Sequence, residues 1–248
     1  MTNYLLIIEY NGAGFSGWQK QPRLRTVQGE LEKALKKLFG GKIKAVGSGR
    51  TDAGVHAAGQ AVSVKTGRKL EASKLLLALN ALLPKDISAK TAREARADFD
   101  ARRDAVEKIY TYRVWNSHFR SVWAQDISWQ VRTPLDTGLM RRAAKLLVGK
   151  HDFSGFAAAG GTQEDKVVNL KEIKIFRECE FTVFQFRADR FLYKMVRNIA
   201  GTLVDAGRKH IKPEKTGEIL KNGLRAHAGQ TAPAKGLFLE KVSYGKQK

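Results

Sequence analysis

The sequence predicts an α+β protein built as two similar halves, with helices covering sheets. Strand-like and helix-like segments alternate through both halves, and neither half carries the G-x-G-x-x-G fingerprint of a doubly wound nucleotide-binding sheet. The 248 residues, 43% of them apolar, are enough for one large domain or two smaller ones with real cores.

Residues 4–10 (YLLIIEY) read as a buried strand, broken by Asn11-Gly12-Ala13-Gly14. Thr26 can cap a helix on which Val27, Leu31, Ala34, Leu35 and Leu38 share one face, and Gly40-Gly41 stops it. Short strands are expected at 42–46 and 61–65. A helix over 71–82 is ended by Pro84, and a strand follows at 86–91. The polar stretch 101–108 marks the join, which gives an N-terminal half over 1–105 and a C-terminal half over 106–248. The second half opens on a strand at 108–115 (KIYTYRVW). Asp136 can cap a helix with Leu139, Ala143, Leu146 and Leu147 on one face. Residues 170–176 and 180–188 look like paired strands, with Cys179 expected to sit quietly in a strand. Asp189 can cap a long helix running to about Asp205 and terminated by Gly207. A short helix over 212–221 and a final strand over 237–244 complete the chain.

The charge narrows the function. Lys and Arg number 45 against 24 Asp and Glu, a formal net charge of +21. Such a field attracts polyanions, nucleic acid ahead of anionic membrane. No stretch approaches the roughly 18 apolar residues of a membrane span, and the N-terminus lacks the basic and apolar regions of a signal peptide. With a single cysteine no disulfide forms within the chain, which suits a reducing compartment, and a cytoplasmic protein is expected. The five histidines lie far apart, with no H-x-x-x-H pair and no C-x-x-C, so no metal site is predicted.

Residues 47–57 (GSGRTDAGVHA) carry the strongest chemical signal. A phosphate loop fits poorly, because no G-K-[ST] follows. A plain surface turn is the ordinary reading of an isolated Asp-Ala-Gly. Here, however, Arg50, Thr51 and Asp52 stand together between glycines in a very basic chain, a setting that can present a carboxylate to a ligand. In IEYNGAGFSGWQKQ (residues 8–21), glycines interleave with Tyr10, Phe15 and Trp18, aromatics that could stack on unpaired bases, although Phe15 and Trp18 could equally be core residues on a turn. In KIYTYRVW, Tyr110 and Tyr112 share one face. A tyrosine there can stack on a reacting base or handle a proton, although most strand tyrosines are simply half-buried. If residues 190–208 are helical, Arg190, Lys194, Arg197, Gly201 and Arg208 form a stripe of one charge sign, opposite Leu192, Met195, Val196, Ile199 and Leu203. That stripe, with Gly201 leaving room for close approach, favours a docking face for a polyanion.

Taken together, GFSGWQ (14–19), GRTDAGVHA (49–57), LPKDI (83–87), FDAR (99–102), YTYRV (110–114), DFSGF (152–156), FLYKMVRNIAG (191–201) and GLFLEKV (236–242) occur in order along the whole chain. With these motifs the sequence resembles the bacterial TruA family of tRNA pseudouridine synthases. The resemblance implies two ferredoxin-like halves sharing a mixed, mainly antiparallel sheet flanked by helices. It also implies a homodimer and isomerisation of uridines at positions 38, 39 and 40 in the tRNA anticodon arm. Residue by residue, Asp52 is similar to the catalytic aspartate, Arg197 to its basic partner and Tyr110 to the tyrosine beside the target base. Leu237 is similar to the apolar residue packed on that base, and Arg50 to the arginine that helps draw the uridine out of its stack. Two positions depart from the pattern: Asp100 stands where the family often has His, and Asn169 where Arg is usual.

The implied reaction asks for little else. It breaks a sugar–nitrogen bond, turns the base and joins a ring carbon to the sugar, with no redox change. No cofactor is expected. Glycosidases need a second acid to protonate a departing group, but here the base is recaptured, so one carboxylate suffices. Three other readings compete: a non-catalytic RNA-binding protein, which leaves Asp52 unexplained; a phosphate-handling enzyme, which lacks its lysine and its metal cluster; and a pseudouridine synthase with another RNA target.

Overall fold

A computed structural model describes residues 1–161 and 163–245. In chain order the elements are β1 (Thr2–Tyr10), α1 (Val27–Phe39), β2 (Ala45–Gly47), β3 (His56–Thr66), α2 (Ala72–Leu82), β4 (Ile87–Ala95) and β5 (Ala105–Trp115). They continue with β6 (Trp129–Gln130), α3 (Thr137–Lys145), β7 (Gly149–Asp152), β8 (Val167–Glu178), β9 (Phe181–Ala188), α4 (Met195–Gly207), α5 (Lys215–Asn222) and β10 (Leu237–Tyr244). The fold is α+β, as the alternating pattern predicts.

The chain forms two compact units. One comprises Met1–Val106 together with the chain from Phe238 onward; the other is Glu107–Leu237. The sequence pattern places the last strand with the C-terminal half, 106–248. It groups instead with the first unit, because β10 pairs in parallel with β3, Phe238 opposite His56 and Leu239 opposite Ala57, and the two rings stack with centroids 4.6 Å apart.

In the first unit the strand order is β4-β1-β3-β10, with β2 also antiparallel to β3. The apolar run of β1 fills the centre: Tyr4, Leu6 and Ile8 are fully buried. Helix α1 is amphipathic as its sequence demands. Thr26 caps it by accepting from the Gly29 amide at 3.3 Å, Val27, Leu31 and Leu35 are buried, and Gly40 and Gly41 end it at positive φ. Glu71 caps α2. Burying an aliphatic side chain of this size contributes about 1.5–3 kcal/mol, so the apolar faces hold these short helices more firmly than their propensities do.

In the second unit β5, β9, β8 and β7 run antiparallel in that order, and β6 lies parallel to β5. Asp136 caps α3 by accepting from the Leu139 amide at 3.0 Å. Two local expectations change here. Cys179 is exposed in the β8–β9 turn with φ of 51°, rather than sitting in a strand. The helix expected from Asp189 begins only at Met195, after Lys194 at φ 56°. The Asp189 carboxylate accepts from the amides of Arg190 (2.7 Å) and Asn169 (3.1 Å), so it ties the segment to β8 instead of opening a helix.

Candidate active site

Asp52 and Arg50 lie in the first unit; Tyr110, Arg190, Lys194, Arg197 and Leu237 lie in the second. Asp52 sits half-buried on the loop that joins β2 to β3, and Arg50, on the same loop, is exposed. The loop is shaped by the segment after β1. Trp18 donates its amide to the Thr51 carbonyl (3.0 Å), Gly54 donates to the Phe15 carbonyl (3.3 Å), and the Gly12 amide bonds to His56 Nδ1 (3.1 Å). Gly17 has φ of +86°, and a Cβ there would lie 2.6 Å from the Thr51 oxygen. A Cβ on Gly12 would lie 2.0 Å from the Val55 oxygen. These close approaches explain why GFSGWQ and GRTDAGVHA accompany each other: one backbone is moulded against the other. Phe15 and Trp18 are both buried, with the Arg25 guanidinium 4.1 Å above the Phe15 ring. They belong to the packing under the loop and are not base-stacking surfaces. Arg25 also forms a two-pronged pair with Asp86 at 2.7 and 2.8 Å, and this hydrogen bonding holds the Asp86 carboxyl below its ordinary range.

The sequence offers Tyr10 as a base-stacking aromatic and singles out neither Ser48 nor Gln60; the structure buries all three beneath the Asp52 loop. The Tyr10 hydroxyl is 2.9 Å from Thr51 Oγ1, Ser48 Oγ donates to Gln60 Oε1 (2.6 Å), and Gln60 Nε2 donates to the Gly49 carbonyl (2.9 Å). The available signal was Gln60 itself, an amide within the otherwise small and apolar run AAGQAVSV.

In the second unit, Tyr110 lies on β5 with its ring edge-on to Phe191 at 5.1 Å. Tyr112, two residues on, is fully buried and donates to the Pro233 carbonyl at 2.8 Å. Arg197 is in the first turn of α4. Its Nε donates to the Ala232 carbonyl (2.7 Å), while the Ala232 amide donates back to the Arg197 carbonyl (3.1 Å). Residues 230–237 therefore form a strap held near its middle, at Ala232 by Arg197 and at the adjacent Pro233 by Tyr112, and it leads to Leu237, buried at the start of β10. Next to Arg197, the buried Asn198 anchors the same region. Its amide donates to the Phe156 carbonyl (2.7 Å), and its oxygen accepts from Arg225 (3.0 Å) and Thr231 (2.7 Å).

The basic stripe drawn from a longer helix does not form. Arg190 and Lys194 precede α4, and Gly201 is buried. The close approach at Gly201 is made by the chain itself, since a Cβ there would lie 1.8 Å from the Gln230 oxygen. Arg190 is committed to β8: its guanidinium donates to the Val167 carbonyl and pairs with Asp165. The Lys194 ammonium stands 5.0 Å from the centre of the Tyr193 ring. Gly201→Ala is expected to push the strap off α4 and to lower stability by about 1–3 kcal/mol, read as a shift in the urea midpoint at constant slope.

Of the two departures from the expected motifs, Asp100 is explained locally. Its carboxylate accepts from the amides of Arg102 (2.8 Å) and Arg103 (2.9 Å) and so fixes the turn of FDAR. Asn169 is exposed on β8 opposite Lys150, and nothing in the structure explains why it is Asn.

Comparison with known proteins accounts for the order of these motifs. The family model described as tRNA pseudouridine synthase matches residues 6–104 and 143–245. The chain belongs to the tRNA pseudouridine synthase family. Similar relatives, each named tRNA pseudouridine synthase A, come from Moorella thermoacetica (44% identical, covering 96% of this chain and 98% of that one), Acetivibrio thermocellus (40%, covering 98% and 100%) and Halalkalibacterium halodurans (44%, covering 94% and 89%). Pseudouridine synthases are isomerases. Among the described residues no helix is long and apolar enough to cross a membrane.

Proposed function

We propose that this protein converts uridine to pseudouridine at positions 38, 39 and 40 of the tRNA anticodon stem-loop, with Asp52 as the catalytic carboxylate. The observation that carries the reading is the Asp52 loop: a half-buried carboxylate on a backbone fixed from both sides, within the GRTDAGVHA motif of a family member. In the reaction the bond from the ribose to the uracil nitrogen breaks, the base turns, and a ring carbon bonds to the same sugar carbon. The hydrogen on that ring carbon leaves as a proton and the freed nitrogen gains one, so atoms and electrons balance without a cofactor. Asp52 stabilises the positive charge that develops on the sugar, by attack on it or by removing a proton from it.

The other roles follow the same reading. Arg197 is the basic residue that works with Asp52, held for the task by its bond to Ala232. Tyr110 stands beside the target base, Leu237 packs on it, and Arg50 helps draw it from the stack, a step that costs a few kcal/mol and least near a loop. Lys194 and Arg190 contribute positive charge toward the RNA, Arg190 with its guanidinium already shared with Asp165. The enzyme acts in the cytoplasm as a homodimer, which light scattering on the purified protein would test.

The direct test uses tRNA carrying tritium on the uracil ring carbon that becomes bonded to the sugar. Release of tritium to water is expected, and full retention under conditions of tight binding would refute isomerisation. Recognition through phosphates also predicts a steep salt dependence. Affinity for tRNA is expected to fall by about a hundredfold or more between 50 and 200 mM salt; a flat response in filter binding would contradict the use assigned to the +21 charge.

A further inference from the structure

Three polar side chains beneath the Asp52 loop have no role in the reaction as described. Gln60 is fully buried on β3, opposite Ile8 of β1. Ser48 is fully buried and Tyr10 nearly so. The β1–β3 register slips between Ile8 and Tyr10, which leaves Tyr10 opposite Ala57. An apolar filling would be the cheaper choice for such a space, because a buried amide or hydroxyl is costly unless it is bonded. Here the bonds run to the ascending arm of the loop. Gln60 accepts from Ser48 and donates to the Gly49 carbonyl, and Tyr10 bonds to Thr51, the residue before Asp52. From above, Trp18 donates to the carbonyl of the same Thr51. Thr51 is thus gripped by its side chain and its backbone, and Ser48, Gly49 and Thr51 are each held in place.

We infer that Tyr10, Ser48 and Gln60 are positioning residues for Asp52: they fix the backbone from which its carboxylate projects, and they touch neither substrate nor reacting atoms. The inference rests on the catalytic role proposed for Asp52. Misplacement of a catalytic group by about 1 Å can cost roughly a hundredfold in rate, whereas binding of tRNA through its phosphates draws on the many basic residues of a +21 chain and depends little on any one loop. Loss of the cradle therefore slows chemistry without loosening binding.

The test measures single-turnover pseudouridine formation, tRNA affinity and melting temperature for the wild type, Tyr10→Phe, Ser48→Ala and Asp52→Asn. Tyr10→Phe and Ser48→Ala remove one hydroxyl each and conserve the packing. Each is expected to slow the single-turnover rate by roughly tenfold, with affinity within about twofold of wild type and a melting temperature too high for unfolding to explain the loss. Rates within twofold of wild type for both variants, with Asp52→Asn inactive, would overturn the positioning role and leave the role of Asp52 standing. A rate loss matched by an equal loss of affinity, or by partial unfolding at the assay temperature, would overturn it as well. Wild-type activity in Asp52→Asn would instead remove the catalytic assignment on which the inference depends.

Discussion

Replacing Asp52 with Asn is expected to lower turnover by roughly a thousandfold or more while tRNA affinity stays nearly unchanged. The substitution keeps the size of the side chain and most of its hydrogen-bonding capacity. In the proposed role it removes the negative charge that answers the positive charge developing on the ribose, and with it any nucleophile or base at that place. The loop should keep its course, because it retains the supports made by the Thr51 carbonyl and hydroxyl, the Gly49 carbonyl, and the close packing at Gly12 and Gly17. An equal melting temperature with absent turnover would locate the defect in chemistry. Equal loss of binding and turnover would show that Asp52 serves recognition instead.

Arg197→Lys is expected to cost about a hundredfold in turnover, near 3 kcal/mol of barrier, with a smaller effect on tRNA affinity. Arginine at this place does two things at once. Its Nε holds the Ala232 carbonyl at 2.7 Å, and the rest of the planar guanidinium is thereby set in one orientation at the start of α4. Lysine keeps the charge but has a single nitrogen on a flexible stem, so it can hold the strap or face the reaction, not both. Because the Ala232 amide returns a bond to the Arg197 carbonyl, the backbone pairing survives the substitution. A kcat within threefold of wild type would show that charge alone suffices.

Much of the fold was legible because it is written locally. β10 begins and ends where the sequence pattern placed it, and Thr26, Glu71 and Asp136 open their helices, since capping and apolar periodicity act within a few residues. Errors arose where distant contacts decide. Asp189 has the composition of a helix cap, yet its carboxylate is taken by the Asn169 amide from β8, and the helix waits until Met195. β3 was foreseen only from Ala61, because its first residues, HAAGQ, include polar groups whose partners lie on other elements. β7, with the polar sequence GKHD, gave no alternation to read, and its pairing with β8 supplies what the pattern lacks. The grouping of the C-terminal strand with the first unit is likewise a matter of parallel pairing across the chain.

At the candidate site the same division holds. Asp52, Arg197, Tyr110 and Leu237 stand in contiguous motifs and could be named from sequence. Gln60 and Thr231 stand outside those motifs, and Tyr10, Ser48 and Asn198 stand within quoted stretches whose spacing says nothing of their partners; only folding supplies the bonds they make. The basic stripe does not form because residues 190–194 are not helical and α4 begins only at Met195. Arg190 pairs with Asp165 of its own chain, and Gly201 is approached by the chain itself at Gln230.

The central claim is that Asp52 drives isomerisation of uridines in the anticodon arm. The most direct measurement maps pseudouridine on unmodified tRNA transcripts, treated with the wild type or with Asp52→Ala, by carbodiimide labelling and reverse-transcriptase stops. Stops at positions 38–40 with the wild type and none with Asp52→Ala are the expected result. Stops that persist in the variant, or their absence with a wild type that binds tRNA tightly, would contradict it.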